Sequence, residues 1–263
     1  MKIVVCIKQV PDTNEVKLDP VTNTLIREGV PSIINHDDKS GIEAALKLKE
    51  QVGGEVVVVC MGPKQADVAL REALAMGCDK AMLVSAREFG GSDTYATAKI
   101  IAAALRKIGY DLVITGRQAI DGDTAQVGPQ IAENLGIPQV SYVEGVEVLN
   151  ESTLLVQRQY EDRYHMIEVK MPCLLTALTE LGEPRYMTVK GIVEAYRQEI
   201  EVMDYEMLKD DLDIATIGLK GSPTNVYKSF TKQAKGAGTK LTELSPDEAV
   251  DAIINALQER HLV

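Results

Sequence analysis

Tryptophan is absent from this chain of 263 residues, and phenylalanine occurs twice. The interior therefore has to be built from Val, Ile, Leu, Ala and Met. Basic charge is scarce too: 28 Lys and Arg against 39 Asp and Glu give a formal net charge of −11. Nucleic acid and anionic membrane both require a basic footprint, so neither is expected as a partner. A small anionic ligand remains compatible, because local backbone dipoles can outweigh net charge. Long hydrophobic runs are missing: apolar stretches reach strand length, against the ~20 residues that span a bilayer. The start, Met1-Lys-Ile-Val-Val-Cys-Ile-Lys-Gln, carries no signal-peptide apolar region or cleavage site, so a cytoplasmic location is expected. Cys6, Cys60, Cys78 and Cys173 form no CxxC, which points to reduced thiols rather than a disulfide or metal. Three histidines, His36, His165 and His261, are too few and too scattered for a His-based metal site. Ser–His–Asp logic is lacking, as are paired carboxylates with a reason to titrate. Asp37-Asp38 and Asp210-Asp211 read as a helix cap and a solvated face. With no catalytic side chains of its own, the chain is expected to bind a cofactor that carries the chemistry.

What is present is an alternation of buried strands and amphipathic helices. Lys2 to Ile7, Glu55 to Cys60, Lys80 to Val84 and Asp111 to Thr115 are apolar runs of the kind found in parallel sheets. Between them fall helical patterns: from Asp37 or Asp38 as N-cap to about Gln51, from Lys64 to Met76, and from Ser92 or Asp93 as cap to Ile108. Gly53-Gly54, Gly77 and Gly109 stop them. This is a repeated βαβ pattern. Val16 to Leu18 and Thr24 to Arg27, around Asp19-Pro-Val-Thr-Asn, read as a small hairpin. After Pro138 the period changes. Gln139 to Leu149, Thr153 to Tyr160 and Tyr164 to Lys170 read as antiparallel strands, and the stretch from Met171 as a strand returning to the main sheet. From about Met203 the composition loosens, and only Ser245-Pro-Asp-Glu looks firm, opening a helix from Pro246 to about Arg260. Such a tail packs weakly on itself and is expected to wrap a neighbouring chain.

The organising stretch runs from Ile114 to Pro129. A strand, a polar loop with Gly122, and a helix expected over Thr124 to Leu135 aim free backbone N–H groups at one point, which suits a phosphate. Thr124 offers a hydroxyl and Gln126 an amide. Asp121 and Asp123 are expected as N-cap and first-turn acid, or as partners of a backbone amide or ribose hydroxyl. In a parallel sheet the ligand crevice lies beyond the carboxyl ends of the strands, which selects Cys6 to Pro11, Asn35 to Asp38, Met61-Gly-Pro and Gly116 to Pro129. Gly90-Gly-Ser-Asp-Thr resembles the SGGxDS loop of pyrophosphatases. That loop belongs after the first strand, so a capped turn is expected here instead.

Val4-Val-Cys-Ile-Lys-Gln-Val-Pro-Asp, Met61-Gly-Pro, Ala73-Leu-Ala-Met-Gly-Cys-Asp, Gly116-Arg-Gln-Ala-Ile-Asp-Gly-Asp and Glu183-Pro-Arg-Tyr together resemble the beta (small) subunit of electron-transfer flavoproteins. The resemblance covers nearly the whole chain. It implies an α/β fold: a doubly wound, mostly parallel sheet, Rossmann-like and adenine-nucleotide-hydrolase-like, with a small antiparallel addition and an extended C-terminal arm. Residues 1–200 would form the nucleotide- or flavin-binding domain. Residues 201–263 would form an arm and helix packed on a larger alpha subunit in a heterodimer. The continuation Gly122-Asp-Thr-Ala-Gln-Val-Gly-Pro129 resembles the electron-bifurcating subgroup. There the beta subunit binds FAD in place of AMP, takes electrons from NADH, and divides them between ferredoxin or flavodoxin and the alpha FAD. The alpha FAD in turn serves a flavin-dependent dehydrogenase of the acyl-CoA or 2-hydroxy-acid type.

By matching position, the resemblance implies cofactor contacts at Cys6, Asn35, His36, Asp37, Asp38, Met61, Gly116, Arg117, Gln118, Ala119, Ile120, Asp121, Gly122, Asp123, Thr124, Ala125, Gln126, Val127, Gly128 and Pro129. No catalytic side chain and no metal are implied. Adenine is expected near Cys6 and Met61, and phosphates over Asp123 to Val127. Gly128→Val is expected to lower occupancy while the fold survives. Arg185 to Ile192 resembles the loop by which the beta subunit docks on the dehydrogenase. An ordinary beta subunit holding AMP, an ATP-binding enzyme or stress-protein-like module, and a scaffold with an empty crevice remain as alternatives.

Overall fold

The computed structural model describes residues 1–12, 31–224, 236–238, 240–242 and 244–263. The expected hairpin at 16–27 lies outside the described residues. In chain order the elements are β1 (Lys2–Ile7), β2 (Gln9–Pro11), β3 (Ser32–Ile34), α1 (His36–Val52), β4 (Glu55–Met61), α2 (Asp67–Met76), β5 (Lys80–Val84), α3 (Thr94–Ile108), β6 (Leu112–Gly116), α4 (Val127–Leu135), β7 (Gln139–Asn150), β8 (Thr153–Gln159), β9 (Tyr164–Lys170), β10 (Cys173–Ala177), α5 (Val189–Arg197), β11 (Glu201–Met203), α6 (Tyr205–Leu208), α7 (Gly218–Gly221) and α8 (Pro246–Gln258).

Nine strands form one sheet in the order β11-β5-β4-β1-β6-β10-β7-β8-β9. Every pairing from β11 to β7 is parallel, and β7-β8-β9 continue as an antiparallel meander at one edge. β2 and β3 pair separately and antiparallel. The β-branched runs are explained by cover on both faces. In β1, Ile3, Val5 and Ile7 point into one apolar layer with Ile42 and Leu46 of α1 and Leu70 and Leu74 of α2. Val4 and Cys6 point into the other, with Ile100 and Leu105 of α3 and Ile131 of α4. Each such side chain, fully buried, contributes roughly 1.5–3 kcal/mol.

Several expected boundaries move. α1 is preceded by Asn35 as N-cap, and Asp37 and Asp38 are buried inside its first turn. Neither caps it, because their carboxylates are engaged elsewhere, as described below. A 3-10 turn at Lys64–Ala66 precedes α2. α3 is capped by Asp93, whose side chain accepts from the Ala96 amide. α4 begins at Val127 and not at Thr124, since Asp123 and Ala125 both have φ of 52° and cannot continue a right-handed helix. The expected end of the α/β domain at residue 200 falls before the last strand. β11 pairs in parallel with β5 through Glu201–Met203, and Leu208, Leu212 and Ile217 are buried on the α3 side of the sheet.

The compact unit extends to Val226, and residues 227–263 form a second unit. Within the latter, α8 opens on a complete capping box: Ser245 Oγ accepts from the Glu248 amide, and the Glu248 carboxylate accepts from the Ser245 amide at 2.9 Å. None of its residues is buried.

Candidate cofactor-binding site

From β1 the chain moves to β4 and β5 on one flank and then to β6 on the other side of β1. This reversal leaves a crevice beyond the carboxyl ends of β1 and β6, the place where open α/β sheets bind ligands. A cavity of about 390 Å3 occupies it, within the range of small-ligand pockets. Cys6, Ile7 and Lys8 reach it from the end of β1, Met61 from β4, and Thr115 and Gly116 from β6. Ser92 to Thr94, with Thr97 and Ile101 of α3, form one wall, and the segment from Arg117 to Gly128 forms most of the rest.

The first turn of α1 holds this segment from behind. Asp38 Oδ2 accepts from the Lys8 amide at 2.7 Å, and its Oδ1 accepts from the Gly116 amide at 2.8 Å. One carboxylate thus ties together the ends of both central strands. Any Cβ at residue 116 would overlap that carboxylate, so glycine is required there. Burial pushes the Asp38 carboxyl up to about 7, against the opposing pull of the Lys8 amide, Asn35 and the Gly116 amide. Asn35 is buried and bonds the loop in both directions: Nδ2 donates to the Gln118 carbonyl at 2.8 Å, and Oδ1 accepts from the Ile120 amide at 3.1 Å. Lys8 Nζ donates to Asp121 Oδ1 at 2.7 Å. Arg117 Nε lies 3.6 Å from Asp37. Burial raises the Asp37 carboxyl, and the Arg117 charge opposes the shift.

Beyond these anchors the backbone turns sharply. Asp123 and Ala125 both occupy the left-handed region, a conformation that costs about 1–3 kcal/mol for a non-glycine residue and collects at ligand sites. The result is a run of main-chain donors. The amides of Thr124, Ala125, Gln126, Val127 and Gly128 have no hydrogen-bond acceptor among the described residues. Alternating left-handed residues and a helix N-terminus both favour an anion. Thr94 Oγ1 donates to Gln126 Oε1 at 2.9 Å, joining the α3 wall to this run.

Of the residues selected from the sequence, Cys6, Asp38, Met61, Gly116 to Ala119, Gly122 and Thr124 to Gly128 line the cavity. Asn35, His36, Asp37, Ile120, Asp121, Asp123 and Pro129 do not. Asn35, Asp37 and Asp121 serve the loop's scaffold, and Asp123 accepts from Gln118 Nε2 at 2.8 Å. Asp121 and Asp123 are not helix caps, because α4 starts after Gln126, which makes no side-chain cap bond. Gly128→Val is not the clean test expected: a Cβ there would come within 2.6 Å of Thr115 Oγ1 and 2.8 Å of Thr176 Cγ2, so it meets the sheet and not the ligand. Lys8 and the α3 wall were missed as individual contacts. Lys8 falls within the stretch from Cys6 to Pro11 that topology selected, and the signal for the wall was Gly90-Gly-Ser-Asp-Thr, which is a capped turn as expected and also lines the cavity at Ser92 to Thr94.

The site presents main-chain donors on a loop held by Asp38 and Asn35. Among the described residues no group of His, Cys, Asp and Glu could hold a metal. All four cysteines are free and buried, and burial pushes the Cys6 thiol up, away from a reactive thiolate.

Residues 22–207 match the model of the electron transfer flavoprotein domain. The chain belongs to the electron transfer flavoprotein family, as a subunit of the beta type. It is 55% identical over 264 residues to electron transfer flavoprotein subunit beta of Thermoanaerobacterium thermosaccharolyticum, with 100% of each chain covered. It is 52% identical over 265 residues to the caffeyl-CoA reductase-Etf complex subunit CarD of Acetobacterium woodii, and 51% identical over 270 residues to acryloyl-CoA reductase electron transfer subunit gamma of Anaerotignum propionicum, again with 100% of each chain covered.

Proposed function

We propose that this beta subunit works in an electron-bifurcating flavoprotein, with FAD held in the cavity at the ends of β1 and β6. The observation that carries the cavity assignment is the run of amides from Thr124 to Gly128 that have no acceptor among the described residues, which fits phosphate oxygens. Cys6 and Met61, which also line the cavity, offer an apolar seat for adenine. The bound FAD would supply two-electron acceptance from NADH and one-electron delivery along two routes, to ferredoxin or flavodoxin and, through the FAD of an alpha subunit, to a dehydrogenase. The names of two relatives, a caffeyl-CoA reductase-Etf complex and an acryloyl-CoA reductase, favour an acyl-CoA type for that dehydrogenase.

This chain's own task is to bind, orient and connect. Asp38 and Asn35 fix the loop so that its amides face inward before a ligand arrives, which reduces the ordering cost of binding. The exposed apolar residues Tyr186, Val189 and Tyr196 around α5 form the surface for the dehydrogenase. Val250, Ile253 and Ile254 of α8 form the surface for the alpha subunit. The test is to purify the chain with its alpha partner, extract the nucleotides and count them. Two FAD per heterodimer are expected. One FAD with one AMP would overturn the bifurcating reading in favour of an ordinary beta subunit, and no nucleotide beyond the alpha FAD would overturn the cavity assignment itself.

A further inference from the structure

The α3 wall of the cavity is bonded on its outer side to the last residues of the compact unit. Asp93 carries the connection. Its Oδ1 caps α3 by accepting from the Ala96 amide at 3.0 Å. Its Oδ2 accepts from Thr224 twice, from the amide at 3.0 Å and from Oγ1 at 2.7 Å. Its own amide donates to Ser222 Oγ at 2.8 Å, and that hydroxyl donates to the Gly218 carbonyl at 2.7 Å. The turn before Asp93 is engaged as well: Ser92 Oγ accepts from the Gly218 amide at 3.1 Å, and the Gly90 carbonyl accepts from the Leu219 amide at 3.0 Å. Residues 218–224 are thus latched onto residues 90–93 just before the second unit begins at Tyr227.

The same turn faces the cavity. Ser92, Asp93 and Thr94 line it, and Thr94 bonds to Gln126 inside the run of unpaired amides. Two sets of hydrogen bonds, joined by the peptide bond between Asp93 and Thr94, therefore link the ligand loop to Ser222 and Thr224. We infer that Asp93 is a positioning residue that couples retention of the adenine cofactor to the anchoring of residues 218–224. The inference rests on the reading of the cavity as an adenine-nucleotide site. Ligand in the loop fixes Gln126 and Thr94, hence the α3 cap, hence the acceptor for Thr224. Coupling of this kind is reciprocal, so releasing the latch must loosen the ligand by the same factor that losing the ligand loosens the latch.

Thr224 does not line the cavity, so it can be altered without touching the ligand. Thr224→Val removes the hydroxyl and keeps the shape, and Thr224→Ser restores the hydroxyl. In the complete heterodimer, the dissociation constant of FAD at the beta site is expected to be at least about fivefold higher in the Val variant and near wild type in the Ser variant. Amide hydrogen exchange at Gly218, Leu219 and residue 224 is expected to slow on loading with FAD in wild type, and to slow less in the Val variant, which keeps the amide bonds and loses the hydroxyl bond. Dissociation constants equal in all three proteins, or exchange indifferent to loading, would overturn the inference while leaving the cavity assignment intact. If the site takes AMP and not FAD, the bifurcating reading fails separately, and the same two measurements with AMP decide the latch. Failure of both nucleotides to bind overturns both.

Discussion

Asp38 is buried where the ends of β1 and β6 meet, and it accepts from a backbone amide of each flank. Its proton has a thermodynamic consequence. Burial raises the folded-state value to about 7, above the ordinary 3.8. Between those values the folded protein keeps a proton that the unfolded chain has released. Stability supplied by this group is therefore complete below about 4, declines as pH rises, and is gone above about 7. Urea unfolding from pH 4 to 9 should show that decline in wild type and a flatter profile in Asp38→Asn. At pH 4 the variant should be less stable by about 1–3 kcal/mol, since its amide nitrogen cannot accept from a strand-end amide as a second carboxyl oxygen does, and that deficit should shrink as pH rises. Parallel pH profiles would show that Asp38 is already ionised across the range. At the same scale, Gly122 and Thr124 were identified from the sequence because glycine and hydroxyl residues after a strand imply close backbone approach. The duties of Asn35, Asp37 and Asp121 were not legible there. Each is a polar side chain on a loop or first turn, and its partner lies elsewhere in the chain, 83 to 85 residues away for Asn35.

At the level of elements, burial on both faces made the parallel strands readable, and β1 and β5 have the limits expected from the sequence. β11 was not legible. Only Met203 of its three residues is buried, so its sequence carries no continuous apolar run. The start of α4 was misjudged because helix propensity does not reveal a left-handed residue: Ala125 is the best helix former in that stretch, yet its φ of 52° ends the loop instead. α8 was readable from its cap alone. Its apolar positions repeat at helical spacing, with Val250, Ile253 and Ile254 more than 40% exposed, and a helix of this composition gains most of its stability from tertiary packing. Replacing Ile254 with Asp is expected to weaken association with the alpha subunit by at least about tenfold, as for burial of an unpaired charge in an apolar contact. Sedimentation of the purified pair measures it. Unchanged association would remove α8 from that interface.

For the molecule as a whole, no helix among the described residues is long and apolar enough to cross a membrane. A net charge of −11 offers no general attraction for an anionic cofactor. The fold answers this locally. Strand ends from both halves of the sheet, the N-termini of α3 and α4, and the left-handed residues at 123 and 125 place main-chain donors at one crevice. Topology made that crevice predictable from the sequence as a position in the fold. The α3 wall and its latch to residues 218–224 were not, because they join segments about 130 residues apart, 131 between Asp93 and Thr224.

The most direct test is an experimental structure of the heterodimer with its native cofactors. The account predicts phosphate oxygens of an adenine-bearing cofactor within hydrogen-bonding distance of the amides of Thr124 to Gly128. Those amides facing only solvent, with the nucleotide bound elsewhere or missing, would contradict it.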